Sequence, residues 1–287
     1  MNNANTPAPL FNITRLLPAL PRLKIVDVGA MSLGEGTDVY SSLTSATPCE
    51  VFGFEPGAEA LAKLKASAKP RHHYLPYFIG DGSARTFYEC NFNMTSSLFE
   101  PNTDLLSKFQ HLGELVQVQK TYPVETRRLD DIPEVEGADF LKVDVQGAEL
   151  MVFEGAPRIL DNALVIDAEV QFVPLYKGVP LFGEIDSYLR SKGFLLHRLS
   201  QVGRTFKPLV FMNDVTAMLS QILWGEAVYV RDFMQFDQLS GAALLKLATI
   251  LHEAYRSVDM AALALASYDR QNSSNLQQAY LARLAGI

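Results

Sequence analysis

LKIVDVGAMSLGEG at residues 23–36, followed after a mixed segment by CEVFGFEP at residues 49–56, decides how the rest of the chain is read. The first run is an apolar strand that ends in Asp27 and Gly29 and opens onto a glycine-bearing loop. The second is another buried strand, closed by Glu55 and turned by Pro56. Strand, glycine loop, helix and strand make half of a nucleotide-binding βαβ unit, and such sheets take ligands beyond the carboxyl ends of their strands. Gly29 allows either a tight turn or the close approach of a ligand to the backbone. Asp27 either serves that ligand or caps the next helix. An ionised Glu55 offers only acceptors and suits both hydroxyls of a ribose; the alternative is a solvated glutamate before a proline. Glycines at 29, 34 and 36 do not space as GxGxxG, which argues against a nicotinamide or flavin site.

Outward from this core, strand patterns recur at residues 74–79, 84–91, 116–124, 138–143, 163–170, 194–199 and 227–231. Helical patterns begin at Thr37 and recur at 58–68, 103–112, 147–154 and 180–192. This alternation predicts an α/β fold with a mostly parallel sheet. The final two strands have no helix between them, only a loop at 200–226, and so suit an antiparallel pair at one edge. Residues 1–22 form an N-terminal extension: 1–10 are polar, and 11–20 have helical spacing stopped by Pro18 and Pro21. The main domain spans 23–232. Residues 233–287 carry helical spacing at 239–255, 258–268 and 275–284, with Asp259 as an N-cap, and predict a helical C-terminal extension. Its apolar faces need a cover, from the main domain or from a second copy of the chain as a homodimer.

Hydrophobic residues make up 48% of the 287, enough for a large core. The net charge of −7 argues against a general nucleic-acid surface and against attachment to anionic membranes. No apolar run approaches the roughly 20 residues of a membrane-spanning helix. Cys49 and Cys90 lack metal-ligand spacing and, with no signal peptide, lead us to expect a reducing cytoplasm.

Further candidates lie at later strand ends. Asp81, between Gly80 and Gly82, either accepts from an adenine amine or forms an ordinary Asp-Gly turn. Asp144, in LKVDVQGAEL, can orient a substrate, act as a base or touch a cofactor amine. Glu149 either serves the site or pairs with a helix N-terminus. Glu169 ends its strand at the same rim, with Gln146 and Gln171 nearby. The five histidines are scattered without metal-ligand spacing, and His197 suits a strand interior as well as a site. Phe172, Tyr176 and Trp224 either line a substrate pocket or pack the core. No nucleophile elbow, Walker lysine loop or decisive metal-ligand set stands out.

Four blocks occur in one order: IVDVGA at 25–30, VFGFEP at 51–56, IGDGSARTFY at 79–88 and FLKVDVQGAELMVFEGA at 140–156. In this the chain resembles the FkbM family of S-adenosylmethionine-dependent methyltransferases, over residues 23–232. The resemblance implies a seven-stranded Rossmann-like sheet with its last strand antiparallel. It implies methyl transfer to an oxygen, on a sugar, polyketide or other small natural product. It would place Asp27 and Gly29 at the methionine part of S-adenosyl-L-methionine, Glu55 at the ribose, Asp81 with Gly82 at the adenine, and Asp144 at the reaction rim. Candidates for the general base are Asp144, Glu169 and His197, in that order. Two departures stand out. The first loop reads AMSLGEG where the family has ANxGxxS, and Gln146 replaces the first Glu of KxDxEGAE. The partner expected is a small-molecule or glycan acceptor, chosen by loops at 91–115 and 171–226. A nicotinamide oxidoreductase and a non-catalytic cofactor-binding protein with the tail as its interface are the competing readings.

Overall fold

The computed structural model describes residues 11–20, 22–30 and 38–286. The loop glycines 34 and 36 and the helix start at Thr37 lie outside the described residues. In chain order the strands are β1 (Leu23–Val28), β2 (Cys49–Phe54), β3 (His72–Leu75), β4 (Phe78–Ile79), β5 (Ala84–Cys90), β6 (Val118–Arg127), β7 (Phe140–Val143), β8 (Val165–Gln171), β9 (Phe194–Leu199), β10 (Val202–Gly203) and β11 (Ile222–Arg231). The α-helices are α1 (Ser41–Ala46), α2 (Ala58–Ala66), α3 (Thr103–Leu106), α4 (Leu112–Leu115), α5 (Glu149–Glu154), α6 (Pro157–Asn162), α7 (Phe182–Ser191), α8 (Gly241–Glu253), α9 (Val258–Asn272) and α10 (Leu276–Leu284).

The main sheet runs β3-β2-β1-β7-β8-β11, and β9 and β10 both pair with β11. Neighbours from β3 to β8 are parallel, whereas β11 is antiparallel to β8, β9 and β10. The sheet has eight strands rather than seven, the two residues of β10 making the difference. Toward their amino ends its central strands are apolar on both faces because helices cover both. On one face, Ile25, Phe140, Val165 and Val230 pack with α1, α8 and α9. On the other, Val26, Leu141, Ile166 and Tyr229 pack with α5, α6 and α7.

The C-terminal tail is therefore a layer of the sandwich, and the main domain itself covers its apolar faces. Polar ties reinforce the packing. Lys246 Nζ, on α8, donates to both carboxylate oxygens of Asp139 at 2.9 and 2.8 Å. The N-terminal segment closes the same layer, Ile13 N donating to Glu253 Oε1 at 2.8 Å.

Several local expectations change. Residues 11–20 hold a short 3-10 turn, Ile13–Arg15, rather than a helix. Pro76 splits the expected strand at 74–79, since proline has no N–H to give a ladder. Its second half, β4, joins a separate three-stranded sheet, β4-β6-β5. The helix expected at 103–112 is divided into α3 and α4. The helix expected at 147–154 ends at Glu154 with Gly155 as its C-cap, and Pro157 opens a further helix, α6, at its first turn, where a missing N–H costs nothing. Ser257, not Asp259, is the N-cap position of α9.

Candidate active site

Three rows of side chains cross the tail-facing side of the sheet near its carboxyl edge. Paired residues in neighbouring strands share a face, and side chains along a strand alternate. The register Asp27↔Lys142, Lys142↔Asp167, Asp167↔Val228 and Val228↔Arg198 makes the first row. Two residues further on, the same face presents Gly29, Asp144, Glu169 and Glu226, with Glu169 directly opposite Glu226. One step beyond, Gln171 stands opposite Trp224.

The first row is a buried chain of charges. Asp27 Oδ2 accepts from the Tyr40 hydroxyl at 2.7 Å, and Asp27 Oδ1 lies 3.4 Å from Lys142 Nζ. At the other end, Asp167 Oδ2 accepts from the Tyr255 hydroxyl at 2.7 Å. Burial alone would lower the Lys142 pKa, but Asp27 and Asp144, then Glu226 and Asp167, outweigh it and hold the ammonium charged. Asp27 is thus engaged within the sheet and, unlike Gly29, lines neither cavity described below.

In the second row Gln146 is the organiser. Its Nε2 donates to Asp144 Oδ1 at 2.9 Å and to Glu169 Oε1 at 3.1 Å. Its Oε1 accepts from the Tyr176 hydroxyl at 3.1 Å, and its backbone carbonyl accepts from Ser97 Oγ at 2.6 Å. Glu149 shapes the same turn by accepting from Val145 N at 2.9 Å and Gly147 N at 3.1 Å. One oxygen from each of Asp144, Glu169 and Glu226 lies within 4.8 Å of the others. Burial, then the charges of Asp144, Glu149 and Glu226, push the Glu169 pKa well above the usual carboxylate range. The protein crowding around Glu226, with Asp167 and Asp144, pushes that carboxyl up to about 8.

Two cavities meet at Gly29 and Asp144. The first lies beyond β1 and β2. Glu55 lines it, with apolar walls from Phe54, Tyr77, Ile79 and Phe87. Glu55 is buried, and its Oε1 accepts from Gly57 N at 2.6 Å. Burial raises its pKa against the pull of that hydrogen bond. The second cavity, about 860 Å³, lies beyond β7, β8 and β11. Lys142, Arg198, Ser200 and Glu226 line it, and the α8–α9 turn adds Tyr255.

Gly29 has φ +87°, and a Cβ there would stand 1.9 Å from the Asp144 carbonyl oxygen. Only glycine lets the ends of β1 and β7 come this close where the two cavities join.

Other expected site residues are placed differently. Asp81 and Gly82 line neither cavity. Asp81 Oδ1 accepts from Ser83 N at 2.9 Å and from Ser83 Oγ, and Oδ2 from Arg85 at 3.1 Å. Burial lifts its pKa, but the Ser83 and Arg85 hydrogen bonds prevail and hold it low. Asp81 closes its own turn, and Gly82 N donates to Thr126 Oγ1 at 3.1 Å. His197 also lines neither cavity. Its Nε2 lies 2.7 Å from Ser257 Oγ on the tail, and burial lowers its pKa. Phe172 packs on Phe182, centroids 5.5 Å apart, in the opposite core layer.

Lys142, Glu226 and Tyr255 join the site without having been singled out from sequence. Lys142 was within reach, two residues before Asp144 in a strand and so on its face. Glu226 needed the β8–β11 register, and Tyr255 needed the docking of the tail.

Residues 27–196 match the family model described as the Methyltransferase FkbM domain. The 2-O-methyltransferase NoeI of Sinorhizobium fredii is 30% identical over 171 residues, which span 56% of this chain and 69% of NoeI. Among solved structures, the magnesium protoporphyrin IX methyltransferase of Synechocystis with bound S-adenosylmethionine is similar at 10% identity, over 76% of each chain, with a TM-score of 0.36. An S-adenosylmethionine-dependent methyltransferase from Mesorhizobium loti is similar at 11% identity, over 76% of this chain and 95% of that one, with a TM-score of 0.34. At such scores these two carry no argument, and the fold rests on the strand order above. Among the described residues no helix is long and apolar enough to cross a membrane.

Proposed function

Because the chain belongs to the FkbM family and is an S-adenosylmethionine-dependent methyltransferase, we propose that it methylates a hydroxyl oxygen of a sugar or similarly hydroxyl-rich acceptor. The observation that carries this reading is the cavity beside Asp144. Its walls mix carboxylates, an ammonium, two guanidinium groups and two serine hydroxyls, which suits an acceptor studded with hydroxyls rather than an apolar one. The relative named as a 2-O-methyltransferase points the same way.

The first cavity fits S-adenosylmethionine in its donor set. Glu55 would take the ribose hydroxyls, Phe54, Tyr77, Ile79 and Phe87 the adenine, and Gly29 with Asp144 the methionine end. The cofactor supplies a methyl group already activated on a sulfonium. What remains for the chain is to align the acceptor oxygen, exclude water and take up the hydroxyl proton. Asp144 stands where the two cavities join and receives that proton. Gln146 fixes its orientation, and Lys142 Nζ lies 3.9 Å from its Oδ2.

The test is incubation with methyl-labelled S-adenosylmethionine and a panel of mono- and oligosaccharides, glycosides and small amines, with the product mapped by mass spectrometry. Label on a sugar hydroxyl is expected, with Asp144→Asn lowering turnover more than S-adenosylhomocysteine affinity. Transfer to nitrogen, or full turnover in that variant, would overturn the acceptor class or the base respectively.

A further inference from the structure

We propose that Tyr176 is a positioning residue for methyl transfer: its hydroxyl holds the Gln146 amide, and through that amide the Asp144 carboxylate, in the orientation that receives the acceptor's proton. This rests on reading Asp144 as the receiving group.

Tyr176 lines neither cavity, so whatever it does there it does through a neighbour. It is 3% exposed and packs with Leu106, Phe109 and Val179. Its backbone is pinned to the segment before α3. Pro101 bridges to Tyr176, Asn102 N donates to Leu175 O at 2.9 Å, and Lys177 N donates to Glu100 O at 2.8 Å. A ring fixed in this way carries its hydroxyl as a fixed point. Burial, then the charge of Glu169, raises the phenol pKa well above its ordinary value, so the hydroxyl keeps its proton and donates. The Thr95 carbonyl and Gln146 Oε1 share that proton, each 3.1 Å away.

Gln146 sits where a hold is needed. Its φ is +55°, in the left-handed region that a residue with a Cβ seldom occupies, and Gly147 follows at +102°. Backbone of this kind persists where its surroundings over-determine it. Ser97 Oγ donates to the Gln146 carbonyl, Glu149 takes the N–H groups of Val145 and Gly147, and Tyr176 takes the side chain. The turn rests on the tyrosine ring, since a Cβ on Gly147 would stand 3.5 Å from Tyr176 Cδ2.

Both ends of the amide are thereby engaged. Nε2 donates to Asp144 Oδ1 and Glu169 Oε1, and Oε1 accepts from the phenol. The carboxylates select which end faces them, and the phenol keeps the amide from swinging away. Without the hydroxyl, Oε1 loses its partner and the side chain turns toward water. An ionised glutamate, the family's residue at this position, has no N–H to give Asp144. The tie therefore depends on the amide that this chain carries.

One arm of the test needs no acceptor. In the full-length chain labelled with heavy nitrogen, the Gln146 side-chain amide is the pair of magnetic-resonance signals missing from Gln146→Leu. In the parent these protons should exchange slowly with water. Tyr176→Phe keeps the ring and should speed their exchange about tenfold, the weight of one hydrogen bond. Melting temperature and S-adenosylhomocysteine affinity serve as folding controls. The second arm uses the acceptor that takes label from S-adenosylmethionine. Tyr176→Phe should lower kcat about tenfold and leave the acceptor KM unchanged, the pattern of a contact that matters in the transition state. Gln146→Leu should lower kcat at least as far, and adding Tyr176→Phe to it should cost nothing more. Fast exchange in the parent, exchange no faster in Tyr176→Phe, or losses that multiply in the double variant would each overturn the proposal. Full turnover in Asp144→Asn would instead overturn the base reading, and the exchange arm would still show whether Tyr176 holds Gln146.

Discussion

The Tyr255 hydroxyl donates to Asp167 Oδ2 at 2.7 Å, joining the turn after α8 to the middle of the main sheet. Tyr40 does the same for Asp27 at the other end of the row, so the buried run Asp27–Lys142–Asp167 has a tyrosine hydroxyl at each end. Tyr255→Phe keeps the ring and removes the donor. It leaves a buried carboxylate short of one partner, at a cost of about 1–3 kcal/mol. Urea unfolding of the variant should show that loss. A midpoint equal to the parent's would mean that this hydrogen bond adds nothing to the hold on the tail.

Gly29→Ala tests the junction of the two cavities. The added methyl would stand 1.9 Å from the Asp144 carbonyl oxygen, at a backbone φ of +87°. The strained φ alone costs on the order of 1–3 kcal/mol, and the collision adds to it by pushing the end of β1 away from β7. A melting temperature lowered by several degrees, together with weakened S-adenosylhomocysteine binding, is expected from calorimetry. A variant as stable as the parent would show that the two strand ends part without penalty.

The parts of this protein readable from sequence are those in which one residue's chemistry and one strand's period suffice. Strand ends carrying Asp27, Glu55, Asp144 and Glu169 follow from apolar runs that stop at a carboxylate. The antiparallel edge follows from the missing helix between β9 and β11. What escaped depends on pairings between distant segments. Asp81 sits in a family-like IGDGS block, yet its oxygens are taken by Ser83 and Arg85, a local competition that a motif does not reveal. His197 has the right residue type, but the docked tail supplies Ser257 as its partner. The helical tail showed its apolar stripes but not their destination. A stripe says that a surface will be covered and leaves open by what.

Glu55→Ala should weaken S-adenosylhomocysteine binding while leaving the fold largely intact. The carboxylate lines the first cavity, and within the chain it accepts from Gly57 N at 2.6 Å. Hydrogen bonds to a charged acceptor contribute about 1.5–3 kcal/mol, so a loss of roughly ten- to a hundredfold in affinity is expected by isothermal titration. Unchanged affinity would remove Glu55 from the ribose subsite.

Glu149 gives the fold a pH dependence of definite sign. Burial raises its carboxyl from 4.5 to about 7, against the backbone hydrogen bonds from Val145 and Gly147 that favour its charged form. The folded chain therefore keeps a proton that the unfolded chain releases near 4.5. The contribution to stability is fully present below that value and is lost as pH rises through about 7. Its size is on the order of 3 kcal/mol, since each pH unit of separation is worth about 1.4 kcal/mol. Glu149→Gln keeps an oxygen for both N–H groups and cannot titrate. Urea unfolding at pH 5 and pH 8 should therefore show the parent losing on the order of 3 kcal/mol relative to this variant. Parallel pH profiles would mean that Glu149 is already ionised in the fold, held so by the two backbone donors of its turn.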